Sequence, residues 1–135
     1  MPVLTQRSGY WFAEQFRVTT EGTTPVKLMD ITPGTVIERV IVRCETPGTG
    51  AANLTVGDED DADGLILAGD HTAAAGTVYG DAPTELGVYL RDATEKAGYR
   101  KNYAAVKALR AVLSAAGTTQ GTWQVMVFGH RFDFG

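Results

Sequence analysis

The sequence predicts an all-β protein, and three stretches carry that prediction. Residues 53–67 (NLTVGDEDDADGLIL) set two short aliphatic and β-branched runs on either side of an acidic turn closed by Gly64, which reads as strand, polar connection, strand. Residues 35–45 (TVIERVIVRCE) hold the densest β-branched content in the chain, the composition that suits a pleated surface. Residues 122–132 (TWQVMVFGHRF) form a third run with strand composition.

Taken in order, residues 1–13 (MPVLTQRSGYWFA) form a short N-terminal arm with an aromatic cluster, Tyr10, Trp11 and Phe12. The cluster packs either on a neighbouring subunit or back over its own core. Residues 14–20 read as a strand with Phe16 and Val18 on one face and Gln15, Arg17 and Thr19 on the other. After a turn at 21–24, residues 25–31 form a second strand, ended by Thr32-Pro33-Gly34, where proline fixes one backbone angle and glycine frees the next. The run 35–45 is a long central strand with Val36, Val40, Val42 and Cys44 on one face and Arg39, Arg43 and Glu45 on the other. A loop at 46–52 leads to the strand pair of 53–67, in which Gly57 and Gly64 suit tight connections and the aspartates bond their own backbone. Residues 68–80 are small and glycine-punctuated, an irregular excursion with one short strand at 77–79. Residues 86–91 (LGVYLR) alternate again, with Leu86, Val88 and Leu90 inward, and 92–103 are polar and basic.

Residues 104–116 (AAVKALRAVLSAA) fit two templates. At helical spacing Ala105, Ala108, Leu109, Val112, Leu113 and Ala116 make an apolar stripe, and the composition favours helix. The following turn, 117–121, leads into the strand at 122–132, which needs a partner, and 104–116 is also acceptable as a strand buried on both sides. The strand is the favoured reading. Short strands with turns about every ten residues then describe a β-sandwich, jelly-roll-like, over 14–135.

Composition narrows the function classes. A chain of 135 residues, 44% hydrophobic and 21% charged, is the size and make-up of one globular domain. A net charge of −4 argues against a nucleic-acid partner, and no apolar stretch has the length of a membrane span. Charge is segregated: residues 45–70 carry seven acidic side chains and no basic one, whereas 91–110 carry six basic and two acidic. Two separately solvated faces are the plainer expectation; orientation of subunits against one another or a larger surface is the other. Cys44 is the only cysteine, so no intrachain disulfide forms, and its apolar neighbours predict a buried, inert thiol. Residues 1–10 have no secretory signal pattern, which implies synthesis in a cytoplasm.

Three segments, the acidic turn 54–65 (LTVGDEDDADGL), the aromatic and basic run 99–103 (YRKNY) and the terminal GTWQV of 121–125, together resemble small virion proteins of tailed bacteriophages. The resemblance spans about residues 35–132. It implies a β-sandwich that serves as a capsid decoration, or cement, protein: a structural protein made in the host cytoplasm, located on the capsid surface of the virion. Its implied partners are the major capsid protein and itself, as a homotrimer matched to a threefold position. The candidate interface residues are Arg100 and Tyr103 within that span and, from the arm outside it, Tyr10, Trp11 and Phe12, whose aromatic side chains fit a tether.

Chemistry is sparse beside this. Glu59, Asp61 and Asp63 alternate before Gly64, and Asp70 falls where an EF-hand loop places its last carboxylate, so these four are the candidate calcium ligands. The match departs at both ends, with glutamate first and aspartate last, and a solvated turn is the plainer reading. A calcium-dependent adhesion or carbohydrate-binding sandwich, tail or fibre associated, is the alternative function. No cofactor is otherwise expected. Residues 48–53 (GTGAAN) lack the third glycine of a dinucleotide loop and lead into a strand. His71 and His130, the only histidines, have no neighbouring ligand or nucleophile, and exposed turn carboxylates lack the burial that tunes acid–base catalysts. The sequence does not predict an enzyme.

Overall fold

Period-two alternation becomes a buried and an open face most clearly in the last strand, where Trp123, Val125 and Val127 are buried and Gln124, Met126 and Phe128 are half-buried. The computed structural model describes residues 9–20, 22–90, 101, 103–115 and 120–132. Its strands are β1 (Gly9–Thr20), β2 (Val26–Ile31), β3 (Thr35–Thr46), β4 (Asn53–Gly57), β5 (Ile66–Asp70), β6 (Val78–Tyr79), β7 (Lys107–Leu113) and β8 (Gly121–Phe132), with a one-turn 3-10 helix at Pro83–Glu85.

Two four-stranded antiparallel sheets form, in the orders β1-β8-β3-β6 and β2-β7-β4-β5. The pairing is nested: first strand with last, second with second-last, third with sixth, fourth with fifth. That nesting is the jelly roll, two Greek keys wound into one sandwich. Between the sheets lie Val18, Ile37, Val40, Val42, Trp123, Val125 and Val127 from one side, and Ile31, Leu54, Val56, Ile66, Leu109, Ala111 and Leu113 from the other. Cys44 is buried with them; its thiol donates to the Ala73 carbonyl, and burial pushes its pKa up.

The ambiguous 104–116 run supplies β7, bonded to β2 on one side and β4 on the other. Its helical stripe is overridden because both neighbours leave ladder positions that only a strand can fill. Three details differ from expectation. Strand β1 starts at Gly9, so Tyr10, Trp11 and Phe12 are laid down by twelve successive pairs with β8, while residues 1–8 lie outside the described residues. In β3 the register slips between Ile37 and Arg39; this bulge inverts the alternation, so Ile37 is buried and Val36 is only half-buried. The strand expected over 86–91 does not form across the described residues 86–90. Leu86 makes a single bridge to Ile66, the chain turns at 88–90, and Val88 is exposed while Leu90 stays inside. The reason is Gly87, which presses on Gly64 so closely that a Cβ there would sit 2.2 Å from backbone; the segment straps over the acidic turn instead of extending a sheet.

Candidate interaction surface

Strand β1 is the edge of its sheet, and it is twelve residues long against six for β2, the edge of the facing sheet. At roughly 3.3 Å per residue one sheet overhangs the other by several residues, so burial in β1 is confined to its end, at Val18 and Thr20. Near its start the inward-facing Tyr10 and Phe12 have no second layer to enter, whereas Trp11 and, in β8, Phe132 lie on the outer face of the sheet. Trp11 is 74% exposed, Tyr10 55% and Phe132 42%.

These rings are ordered by the ladder. Trp11 pairs with His130, so both point to the same face; their rings meet edge-on at 5.0 Å, and His130 meets Phe132 edge-on at 5.1 Å. The result is a ridge of three rings, with Glu38 Oε1 3.2 Å from His130 Nδ1. Gly9, Tyr10, Trp11, His130 and Phe132 surround a shallow cleft of about 290 Å³ there. On the other face the Arg131 guanidinium lies 4.6 Å over the Phe12 ring. Phe12 also covers Gly129, where a Cβ would approach it to 2.9 Å. Aromatic side chains presented on a rigid ladder carry little ordering cost on binding, which is what an interface anchor needs.

At the far end of β1 a groove of about 280 Å³ opens between the edges of the two sheets, lined in part by Thr20, Pro25, Val26, Ala111, Leu113 and Gln120. Beside it His71 is fully buried. Its Nε2 lies 3.0 Å from Thr20 Oγ1 and 3.3 Å from the Thr20 carbonyl. A carbonyl only accepts, so Nε2 carries the proton. The ring occupies space left by Gly48 and Gly121: a Cβ on Gly48 would fall 2.2 Å from it and one on Gly121 2.9 Å. His71 therefore ties the end of β1, the start of β8 and the loop at Gly48 together.

The acidic turn is a packed structure. Asp58 is fully buried and accepts from Lys101 Nζ at 2.7 Å, Tyr103 Oη at 2.8 Å, Tyr89 Oη at 3.2 Å and the N–H groups of Asp60 and Asp61. Burial pushes its carboxyl up, but the Lys101, Tyr103 and backbone hydrogen bonds outweigh that and hold it below the ordinary range. Lys101 sits over the rings of Tyr89 and Tyr103, at 4.5 and 4.8 Å from their centroids. Its desolvation favours the neutral amine; Asp58, Tyr89 and Asp60 reverse this and raise its pKa. Burial, then the Asp58 charge, raises Tyr103 strongly.

The sequence-predicted site residues fall in different places. Tyr10, Trp11 and Phe12 are together at the start of β1. Tyr103 is buried against Asp58, and Arg100 lies outside the described residues. Glu59 accepts the Ala108 N–H, Asp61 accepts the Asp63 N–H, and Asp70 accepts the Thr72 N–H and hydroxyl. A side-chain hydrogen bond that the Asp63 carboxyl donates to Asp61, then burial and the Asp61 charge, raise the pKa of the Asp63 carboxyl. Among the described residues no group of three or more His, Cys, Asp or Glu side chains is arranged to hold a metal ion. Asp58 and Lys101 were not singled out from the sequence; the signal was the acidic block and the basic block, whose contact is long-range.

No family model matches the sequence, and no curated protein matches it. Solved structures do. A chain of the cyanophage Pam1 capsid asymmetric unit superposes with a TM-score of 0.62 at 15% identity, covering 97% of this chain and 91% of that one. A chain from the capsid of Ralstonia phage GP4 gives a TM-score of 0.57 at 16% identity, with 95% and 88% covered. At such identities the likeness is one of fold, and it runs the length of both chains.

Proposed function

We propose that this protein is a structural component of a tailed-phage virion that decorates and stabilises the capsid by oligomeric binding to major capsid protein subunits. The observation that carries the reading is the near end-to-end likeness to chains of two phage capsid structures, joined to an aromatic ridge at the open edge of a sheet. A protein that reinforces a shell must touch several subunits at once, and a homotrimer on a threefold position does so with three modest contacts acting as one strong one. The role is mechanical, not catalytic: His71 is engaged by Thr20 in the interior, and His130 is held edge-on between Trp11 and Phe132.

Co-sedimentation with empty shells of the phage that encodes it tests the reading. The protein should saturate at a fixed ratio to the major capsid protein and raise the temperature at which the shells come apart. Failure to sediment with shells, with the protein folded, ends it.

A further inference from the structure

The two open features of this surface occupy opposite ends of one strand. Trp11 is the most exposed of the large hydrophobic side chains described, and the groove beginning at Thr20 is lined by Pro25, Val26, Ala111 and Leu113. Strand β1 runs between them without a register shift, so they are about 30 Å apart along its length. One chain cannot bring its own ridge into its own groove. A second copy can.

We infer that copies of this chain associate head to tail, the Trp11 ridge of one seated in the groove of the next. Size fits this occupant. Drug-sized ligands take sites of roughly 300–1,000 Å³, whereas a groove of about 280 Å³ is on the scale of an aromatic side chain entering edge-first. Area fits as well. Phe and Trp bury ~150–250 Å² each, so Trp11 and Phe132, which share one face, would at their present exposures withdraw roughly 250 Å² from water. That is about a third of the ~800 Å² per partner in a standard stable interface, before the groove walls are counted. Each copy in a ring uses one ridge and one groove, so the area buried per copy doubles when the ring closes. A joint between unlike surfaces closes into a ring when the rotation between copies allows it. Closure at three copies rests on the trimeric reading above; the joint itself does not.

The test uses sedimentation mass of the full chain and two variants. Trp11→Ala removes the ridge, and Thr24→Trp fills the groove from an exposed position on its rim. The wild type is expected at three times the monomer mass, and each variant at the monomer mass with an unchanged circular dichroism spectrum. An equimolar mixture of the two variants should produce a species of twice the monomer mass and nothing larger, because one intact joint survives in each mixed pair. A joint of Trp11 against Trp11 would show no such rescue. Should Thr24→Trp not fold, Val26→Glu at the same rim replaces it. A monomeric wild type, a Trp11→Ala variant that stays associated, or a mixture that stays monomeric overturns the inference. Shell binding separates the two readings: a monomeric wild type that still sediments with shells defeats the joint alone, and an associated wild type that ignores shells defeats the decoration role alone.

Discussion

Lys101 Nζ lies 2.7 Å from Asp58 Oδ2, the lysine side chain 18% exposed and the aspartate side chain not at all. This contact joins the acidic block of the sequence to the basic one. It anchors the turn after β4 to the segment entering β7, with Asp60 bonded to both Lys101 and Lys107. The segregated charges therefore meet inside one chain.

Removing one partner of a buried pair leaves the other uncompensated, which costs about 3–5 kcal/mol. Asp58→Ala should approach that loss, because the Tyr103 hydroxyl and the Asp60 and Asp61 N–H groups lose their acceptor while Lys101 keeps only the more exposed Asp60 and the Tyr89 hydroxyl. Lys101→Met should cost less, since backbone N–H groups and Tyr103 still serve Asp58. Urea denaturation of both single variants and the double should give a double-variant loss well short of the sum. Additive losses would show that the pair does not act as a unit.

The same cluster sets the pH limits of stability. The folded-state pKa of Asp58 is depressed, so its contribution is present above the unfolded carboxylate value of about 3.9 and is lost as pH falls through the lower folded value. Lys101 and Tyr103 are raised, so theirs is present below about pH 10 and lost as pH rises beyond it. Melting temperature should be flat for this cluster from about pH 5 to 9. In Asp58→Asn the fall on both sides should be shallower; an identical pH profile would remove Asp58 from the explanation.

Gly48→Ala should destabilise by about 1–3 kcal/mol, the cost of overpacking, because its new Cβ meets the His71 ring. In a His71→Ala background the same change should cost a small fraction of that. Equal costs in the two backgrounds, measured by thermal melts, would mean that the glycine is required for a reason other than this ring.

The two tryptophans should behave as opposites. Trp123 is fully buried between the sheets, and Trp123→Ala should cost about 3–5 kcal/mol of monomer stability. Trp11 rests only on the sheet edge and His130, and Trp11→Ala should cost about 1 kcal/mol or less. Chemical denaturation at low protein concentration separates the two; a large loss for Trp11→Ala would place it in the core instead of on a surface.

What the sequence determined by itself was local. Alternation in 35–45 and 122–132 marked β3 and β8 to within a residue at each end, and Cys44 fell inside as its neighbours Val40 and Val42 required. Even the helix-like 107–113 run was resolved by the need of β8 for neighbours, although the structure gives it β2 and β4 as partners and places β8 in the other sheet. Only the tertiary structure decided which distant groups meet. Asp58 and Lys101 are 43 residues apart, and no spacing rule connects them; the nested pairing of β4 with β5 and β7 does. The strap at 86–90 was lost to the sequence because its alternation mimics a strand while the absent Cβ of Gly87 permits a closer contact. Likewise the exposure of Tyr10, on the face that Val18 turns to the core, follows from β1 outrunning β2. Side-chain period is written residue by residue, whereas burial depends on what lies across the sandwich.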